Sequence, residues 1–399
     1  MQRIFEGLTV LDCASFIAAP AAATILADFG AEVIKIEPPT GDPFRHLPRL
    51  PGNPKCEHNW AWMLESRNKQ GLALDLSKAD GQAVLYRMVP RADVFITNFP
   101  PAVRRRLGIA YRNLAPLNER LIYASFTGYG ERGQEANKPG FDSNAWWARS
   151  GMMDLVRPDS AGPPARSLPG MGDHPSALAL FGAIVAALYR REKTGKGAHV
   201  GTSLMANGVW SNGLMVQARL CGATIPKRPP REQTFNAMTN HYCCRDGRWL
   251  ILSLLKEDRE WPVLLECLGR EELAADPRFA TTSDRHARAR ELSAIFDGVF
   301  AGKNLADWRA ILDAHGLIFG VVAEVDELPS DRQMLENDVL VPFQGDGMLT
   351  INSPIWIEGE KKVEPRHPPQ IGQHSDEVLR KFGCDETEIR RLRACGAVR

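Results

Sequence analysis

The chain has 399 residues, 44% of them hydrophobic, and carries 49 Lys plus Arg against 48 Asp plus Glu for a net charge of +1. That length suits two domains or one large elaborate one, and the balanced charge excludes a chain-wide basic face for nucleic acid or an anionic membrane. Any anionic ligand must therefore meet a local cluster of cations. The eight cysteines include no C-x-x-C pair, so they read as reduced thiols and not as a metal or disulfide framework. The first seven residues lack the apolar core of a secretory leader, and no apolar run reaches the ~18 residues of a membrane span. A cytoplasmic location is the expectation.

In chain order, Thr9-Val10-Leu11-Asp12 is β-prone. Ala18-Ala19-Pro20 opens an alanine-rich helix to about Phe29, closed by Gly30, and residues 31–37 form a second strand stopped by Pro38-Pro39. Strand, helix, strand with short connections predicts a right-handed βαβ unit, with a ligand site at the carboxyl ends of the strands. Residues 38–60 read as a long surface loop. Strands are predicted at Leu72–Leu76, Asp93–Asn98 and Leu121–Phe126, with helices near 78–90 and across Arg104-Arg105-Arg106. The α/β alternation predicts a doubly wound fold. Gly128-Tyr129-Gly130-Glu131-Arg132-Gly133 matches G-x-G-x-x-G, but no apolar helix follows it, so a dinucleotide site is not supported. A large domain is expected over 1–222, a Pro-rich linker over 223–235, a small α+β domain over 236–330, and a return segment with a C-terminal helix over 331–399, packing on the large domain.

The stretch that concentrates chemistry is Pro169-Gly170-Met171-Gly172-Asp173-His174-Pro175, followed at once by a long apolar helix. Pro175 suits a first helical turn, which puts Asp173 at or just before the N-cap. There the free backbone N–H groups and the helix dipole favour an ionised carboxylate, so Asp173 is expected to be charged at neutral pH. Beside glycines that let a substrate approach, it is either an ordinary helix cap or a nucleophile.

Three blocks resemble the class III CoA-transferases, the carnitine dehydratase/bile-acid-inducible family. The first runs from Gly7 through Ala18-Ala19-Pro20 to Glu37. The second takes in Asn68-Lys69, Ala92-Asp93-Val94, Asn98, Leu107-Gly108 and Gly128-Tyr129-Gly130. The third is Gly172-Asp173 with its helix and Thr194-Gly195-Lys196-Gly197. The resemblance implies a Rossmann-like large domain joined to a small one, and two chains threaded as an interlocked homodimer. It implies transfer of CoA from an acyl-CoA to a small organic acid, with coenzyme A as substrate and no permanently bound cofactor. Asp173 matches the family's nucleophilic aspartate, which would form a mixed anhydride and then an aspartyl-CoA thioester.

By the same resemblance Ile17 and Ala18 match the backbone along which CoA lies. Lys69 matches a lysine near the nucleotide end, Arg106 an arginine on the phosphate side, and Asn98 and Phe99 the loop between. Asp142 belongs to the same CoA-contacting set. Fixed cations suit a ligand that carries a pyrophosphate and a ribose phosphate, although an arginine run can equally be a solvated helix face. Departures are visible. Pro38 stands where the family often has arginine, and no glycine run covers the site from the small domain. Phe141-Asp142 stands where the racemase branch has a His-Asp pair, which favours transfer over α-methylacyl-CoA racemase or epimerase chemistry. A non-catalytic CoA-binding protein is the alternative from another class. Phe141, Trp146 and Trp147 either line an apolar acyl pocket or pack the core. His174 either assists proton traffic or only hydrogen-bonds.

Overall fold

The computed structural model describes residues 3–399. The chain divides into two compact units, one of residues 1–153, 166–223 and 332–399, the other of residues 154–165 and 224–331. The stretch expected as a linker thus belongs, from residue 224, to the second unit, as does 154–165.

In the first unit six strands form one parallel sheet: β1 (Thr9–Asp12), β2 (Glu32–Glu37), β3 (Lys69–Ala73), β4 (Val94–Thr97), β5 (Ile122–Thr127) and β6 (Ala198–Ser203). Their order is 3-2-1-4-5-6, with register fixed by pairs such as Val10↔Val33 and Val10↔Val94. This doubly wound order places its topological switch point between β1 and β4, where a crevice opens at the carboxyl ends of the strands. Alternate residues serve opposite faces, as the pleat requires. Val10, Val33, Val94 and Ile122 meet α1 (Ala18–Asp28) and the long helix Asp173–Thr194. Leu11, Ile34, Phe95 and Tyr123 meet α3 (Ala79–Met88) and the C-terminal helices Ser375–Lys381 and Glu386–Ala394.

Every residue of α1 is buried. Its alanines let the helix lie flat on the sheet with the long helix packed against it. Two elements differ from the sequence expectation. The third strand begins at Lys69, not Leu72, and the supposed loop of 38–60 leads into α2 (Trp60–Ser66), capped by Asn59. That segment also turns at Pro43–Arg49 and buries Phe44 with Ala61 and Trp62, so it carries a small core of its own.

In the second unit an antiparallel sheet of β7 (His241–Cys243), β8 (Trp249–Leu252) and β9 (Phe319–Val321) covers helices whose core is built on Phe296, Phe300 and Trp308. No helix among the described residues is long and apolar enough to cross a membrane. All eight cysteines are free thiols.

Candidate active site

The long helix starts one residue earlier than its proline implies. Gly172 is the N-cap and makes no side-chain cap bond, Asp173 is the first helical residue, and Pro175 lies third in the first turn. Asp173 is therefore not a cap. Its carboxylate is partly open to solvent and, among the described residues, receives no hydrogen bond. The expectation of a charged group at neutral pH is corrected accordingly. Burial first, then the nearby charges of Asp142 and Glu65, push the Asp173 carboxyl up to about 7, while His174 pulls in the other direction. Such a group is half ionised near neutrality and loses its charge easily when it forms a bond to carbon.

The backbone before Asp173 is held from two sides. Gly172 N–H donates to Asp142 Oδ2 at 3.3 Å, and Asp142 in turn accepts from Ser143 N–H at 2.7 Å. Asp142 is buried at the start of the wide helical turn Asp142–Ala148. Its carboxylate holds the loop that precedes Asp173; a CoA contact was the expectation for this residue. Trp146, from the same turn, packs against Gly172 so closely that an added Cβ would stand 2.6 Å from two indole carbons. Trp146 and Trp147 are stacked at 5.8 Å and buried in the core with Ala145 and Leu204. Phe141, by contrast, is 54% exposed and meets Phe16 edge-on at 5.2 Å.

Phe16 takes φ +63°, a conformation that costs a non-glycine residue energy and needs support from its surroundings. Asn98 supplies it. Its side chain accepts from Ser15 N–H at 2.9 Å and donates to the Ser15 carbonyl at 2.6 Å, across the switch point between β1 and β4. Ser15 Oγ also donates to Asp42 at 2.7 Å. Asn98 thus shapes the 15–17 turn, and that turn delivers Ile17 to within 3.7 Å of where a Gly170 Cβ would be. Ala18 follows as the first, buried residue of α1. Phe99 is half-buried, and its carbonyl accepts from Arg104 Nε at 2.6 Å.

Of the expected cations, two have different fates. Arg106 stands exposed in the last turn of α4 (Pro101–Arg106), without a carboxylate partner among the described residues. Lys69 is buried, and its ammonium donates to Asp12 Oδ2 at 2.9 Å and to the carbonyls of Pro20 and Glu65 at 2.8 Å each. All three donors are spent inside the protein, so the expected phosphate contact is replaced by a structural one. Lys69 sits at the sheet's start, pinned by an opposite charge it cannot leave without stranding Asp12.

Glu65, on α2, carries no sequence motif. Its carbonyl accepts from Thr24 Oγ1 at 2.6 Å as well as from Lys69, and its carboxylate bonds His174 Nε2 at 2.8 Å. It is fully buried while His174 is about half-exposed. The site therefore assembles Glu65 from α2, the 15–17 turn after β1, Asp142 from the turn at 142, and Asp173 and His174 from the long helix. A partly ionised carboxylate beside two glycines and an imidazole is suited to nucleophilic acyl chemistry.

This geometry belongs with a family match. The description "CoA-transferase family III" covers residues 5–375 of the chain. A (R)-2-hydroxy-4-methylpentanoate CoA-transferase of Clostridioides difficile is 32% identical, over 99% of this chain and 100% of the relative. A cinnamoyl-CoA:phenyllactate CoA-transferase of Clostridium sporogenes is 32% identical over 98% and 96%. A CAIB/BAIF family protein from Brucella suis superposes with TM-score 0.85 at 27% identity, over 96% of this chain and all of the other. The chain belongs to the family III CoA-transferases, and its activity class is CoA transfer.

Proposed function

We propose that the protein moves CoA from an acyl-CoA to a free carboxylic acid through covalent attachment to Asp173. The Asp173 carboxylate attacks the thioester carbonyl, the C–S bond breaks, and CoA thiolate leaves an aspartyl–acyl anhydride. The thiolate then attacks the aspartyl carbonyl and releases the first acid. The second acid reverses the two steps. Each step exchanges one acyl–oxygen or acyl–sulfur bond for another, which splits a difficult exchange into two manageable ones.

The observation that carries this reading is the placement of Asp173: partly accessible, in the first helical position with Gly172 as N-cap, and preceded by the Gly170-Met171-Gly172 turn, where an acyl carbon can reach it. Ile17, Ala18, Asn98, Phe99 and Arg106 outline the CoA path in this proposal, with Arg106 on the phosphate side. Exposed Phe141, edge-on to the half-buried Phe16, favours branched or aryl acyl groups over formate or oxalate. The helices Leu204–Ser211 and Gly213–Leu220 expose Trp210, Leu214 and Leu220 at 85%, 83% and 75%, an apolar face suited to burial against a second chain in the homodimer. The direct test is incubation with an acyl-CoA followed by hydroxylamine or borohydride and peptide mass mapping. Modification at Asp173 supports the reading; an unmodified Asp173 under turnover refutes it.

A further inference from the structure

Resting on that reading, we propose that Glu65 and His174 form a carboxylate–imidazolium pair whose fixed positive charge faces the sulfur that departs from and returns to the acyl carbon, with His174 as the catalytic cation and Glu65 as its positioning residue.

The chemistry states the need. When Asp173 attacks, an O–C bond forms, the C–S bond breaks, and the electron pair goes to sulfur. No proton is taken up or released, and the thiolate must wait beside the anhydride before it attacks the aspartyl carbonyl. A general acid that protonated it would remove the nucleophile of the next step. A cation that stabilises the thiolate without protonating it serves both steps, as preorganised charge does wherever an anion develops.

The geometry supplies such a cation. His174 follows Asp173 directly in the first helical turn, and its ring is about half-exposed. Nε2 is bound at 2.8 Å to Glu65 Oε1, which is buried and held by a backbone carbonyl anchored on Lys69 and Thr24. The ring's other edge faces Gly170, where a Cβ would stand 3.1 Å from Cε1 and 3.3 Å from Nδ1. Only glycine leaves room for that edge, whose hydrogen bond to the Gly170 backbone also favours the charged ring, and the ring meets solvent over its exposed half; Gly170 takes φ +78° besides. The charged groups acting on the ring are Asp173 on its own helix and Glu65 from α2, both acidic. Burial works against a charged imidazole, but the Glu65 hydrogen bond and the charges of Glu65 and Asp173 outweigh it and raise His174 above its ordinary value.

The experiment compares wild type, Glu65→Gln, His174→Asn and His174→Arg across pH, with folding checked by circular dichroism and His174 titrated by NMR in the wild-type protein. Asp173 must be ionised and His174 charged, so wild-type kcat should be bell-shaped. Glu65→Gln should pull the alkaline limb down by about one pH unit and leave KM within about threefold. His174→Asn should lower kcat by about 10- to 100-fold and remove the alkaline limb, and His174→Arg should recover part of the loss. Adduct trapping at Asp173 in wild type separates this proposal from the CoA-transfer reading, since the adduct must form there whatever His174 does. A wild-type His174 that titrates at or below its ordinary value overturns the pair even if every variant misfolds. So does an unchanged alkaline limb in folded Glu65→Gln, or a His174→Asn enzyme of full kcat.

Discussion

Gly172 lies against the indole of Trp146 with no room for a methyl group between them. The contact fixes the residue that precedes Asp173, and Gly172 N–H is fixed in addition by Asp142. Gly172→Ala must push the ring or the start of the long helix aside. Overpacking of this kind costs about 1–3 kcal/mol, which urea unfolding will read. The same displacement moves Asp173, and in the proposed role a misplacement near 1 Å lowers rates by about 100-fold. We expect kcat to fall by about that factor with KM for acyl-CoA little changed. Full activity in Gly172→Ala would mean that the nucleophile's position tolerates more slack than its packing implies.

Asp173→Asn should abolish transfer and stabilise the fold. The carboxyl titrates at about 7 in the native protein against 3.8 when solvated. Between those values the unfolded chain releases its proton first, so native stability falls as pH rises from about 4 to about 7 and stays lower beyond. The amide has no such titration. The gain from Asp173→Asn should therefore be absent near pH 4 and complete above pH 7. It should reach about 1–2 kcal/mol, less than the full shift would give because water reaches the group. Thermal melts of both proteins at pH 4.5 and 8 test it, and equal differences at the two pH values would show that burial does not hold the proton on Asp173.

Lys69 distinguishes a structural lysine from a ligand-binding one. Its ammonium and Asp12 are both fully buried, 2.9 Å apart, and the other Asp12 oxygen has no hydrogen-bond partner. Lys69→Met removes the cation hydrogen-bonded to Asp12 and leaves only the charge of buried Lys35 acting on that carboxylate, so it should cost about 3 kcal/mol, the low end for breaking a buried pair. Asp12→Asn combined with Lys69→Met should recover part of that loss. A Lys69→Met protein that melts like wild type but shows a raised KM for acyl-CoA would return the residue to the CoA site.

The frame of the large unit was readable because apolar alternation in β1, β2, β4 and β5 serves two covered faces, and because glycine and proline punctuate the connections. The candidate acid, Asp173, stood out from one local pattern, an acid that follows Gly170 and Gly172 and opens a long apolar helix. What sequence could not supply was the environment of that acid. Helix-end electrostatics alone argue for an ionised Asp173, but burial reverses the sign, helped by Asp142 and Glu65, 31 and 108 positions away. Glu65 has no motif, since its role rests on α2 folding over the start of α1, within a segment rich enough in Pro and Gly to read as loop. The surroundings of Lys69 were hidden for the same reason: its expected place near the CoA nucleotide came from resemblance alone, and its three acceptors come from three different segments. The aromatic residues divide by position, with Trp146 and Trp147 in the core and Phe141 at the surface.

Arg106 offers the sharpest separation of binding from chemistry. Its neighbour in the arginine run, Arg104, is buried and spoken for by Glu131 at 2.7 Å and by the Phe99 carbonyl. Arg105 and Arg106 are both exposed. A cation that meets a CoA phosphate contributes equally to ground and transition states, so its loss raises KM and spares kcat. Arg106→Gln should therefore raise KM for acyl-CoA by about 10-fold, consistent with a charge-assisted hydrogen bond of about 1.5 kcal/mol, and leave kcat within about twofold. KM for the acceptor acid should not move. The penalty should shrink as salt is raised, because screening weakens the wild-type contact while the variant has none to lose. Arg105→Gln serves as the control with the same change in net charge. If both variants raise KM equally, the effect is a general field of the arginine run, and the phosphate lies elsewhere along the path.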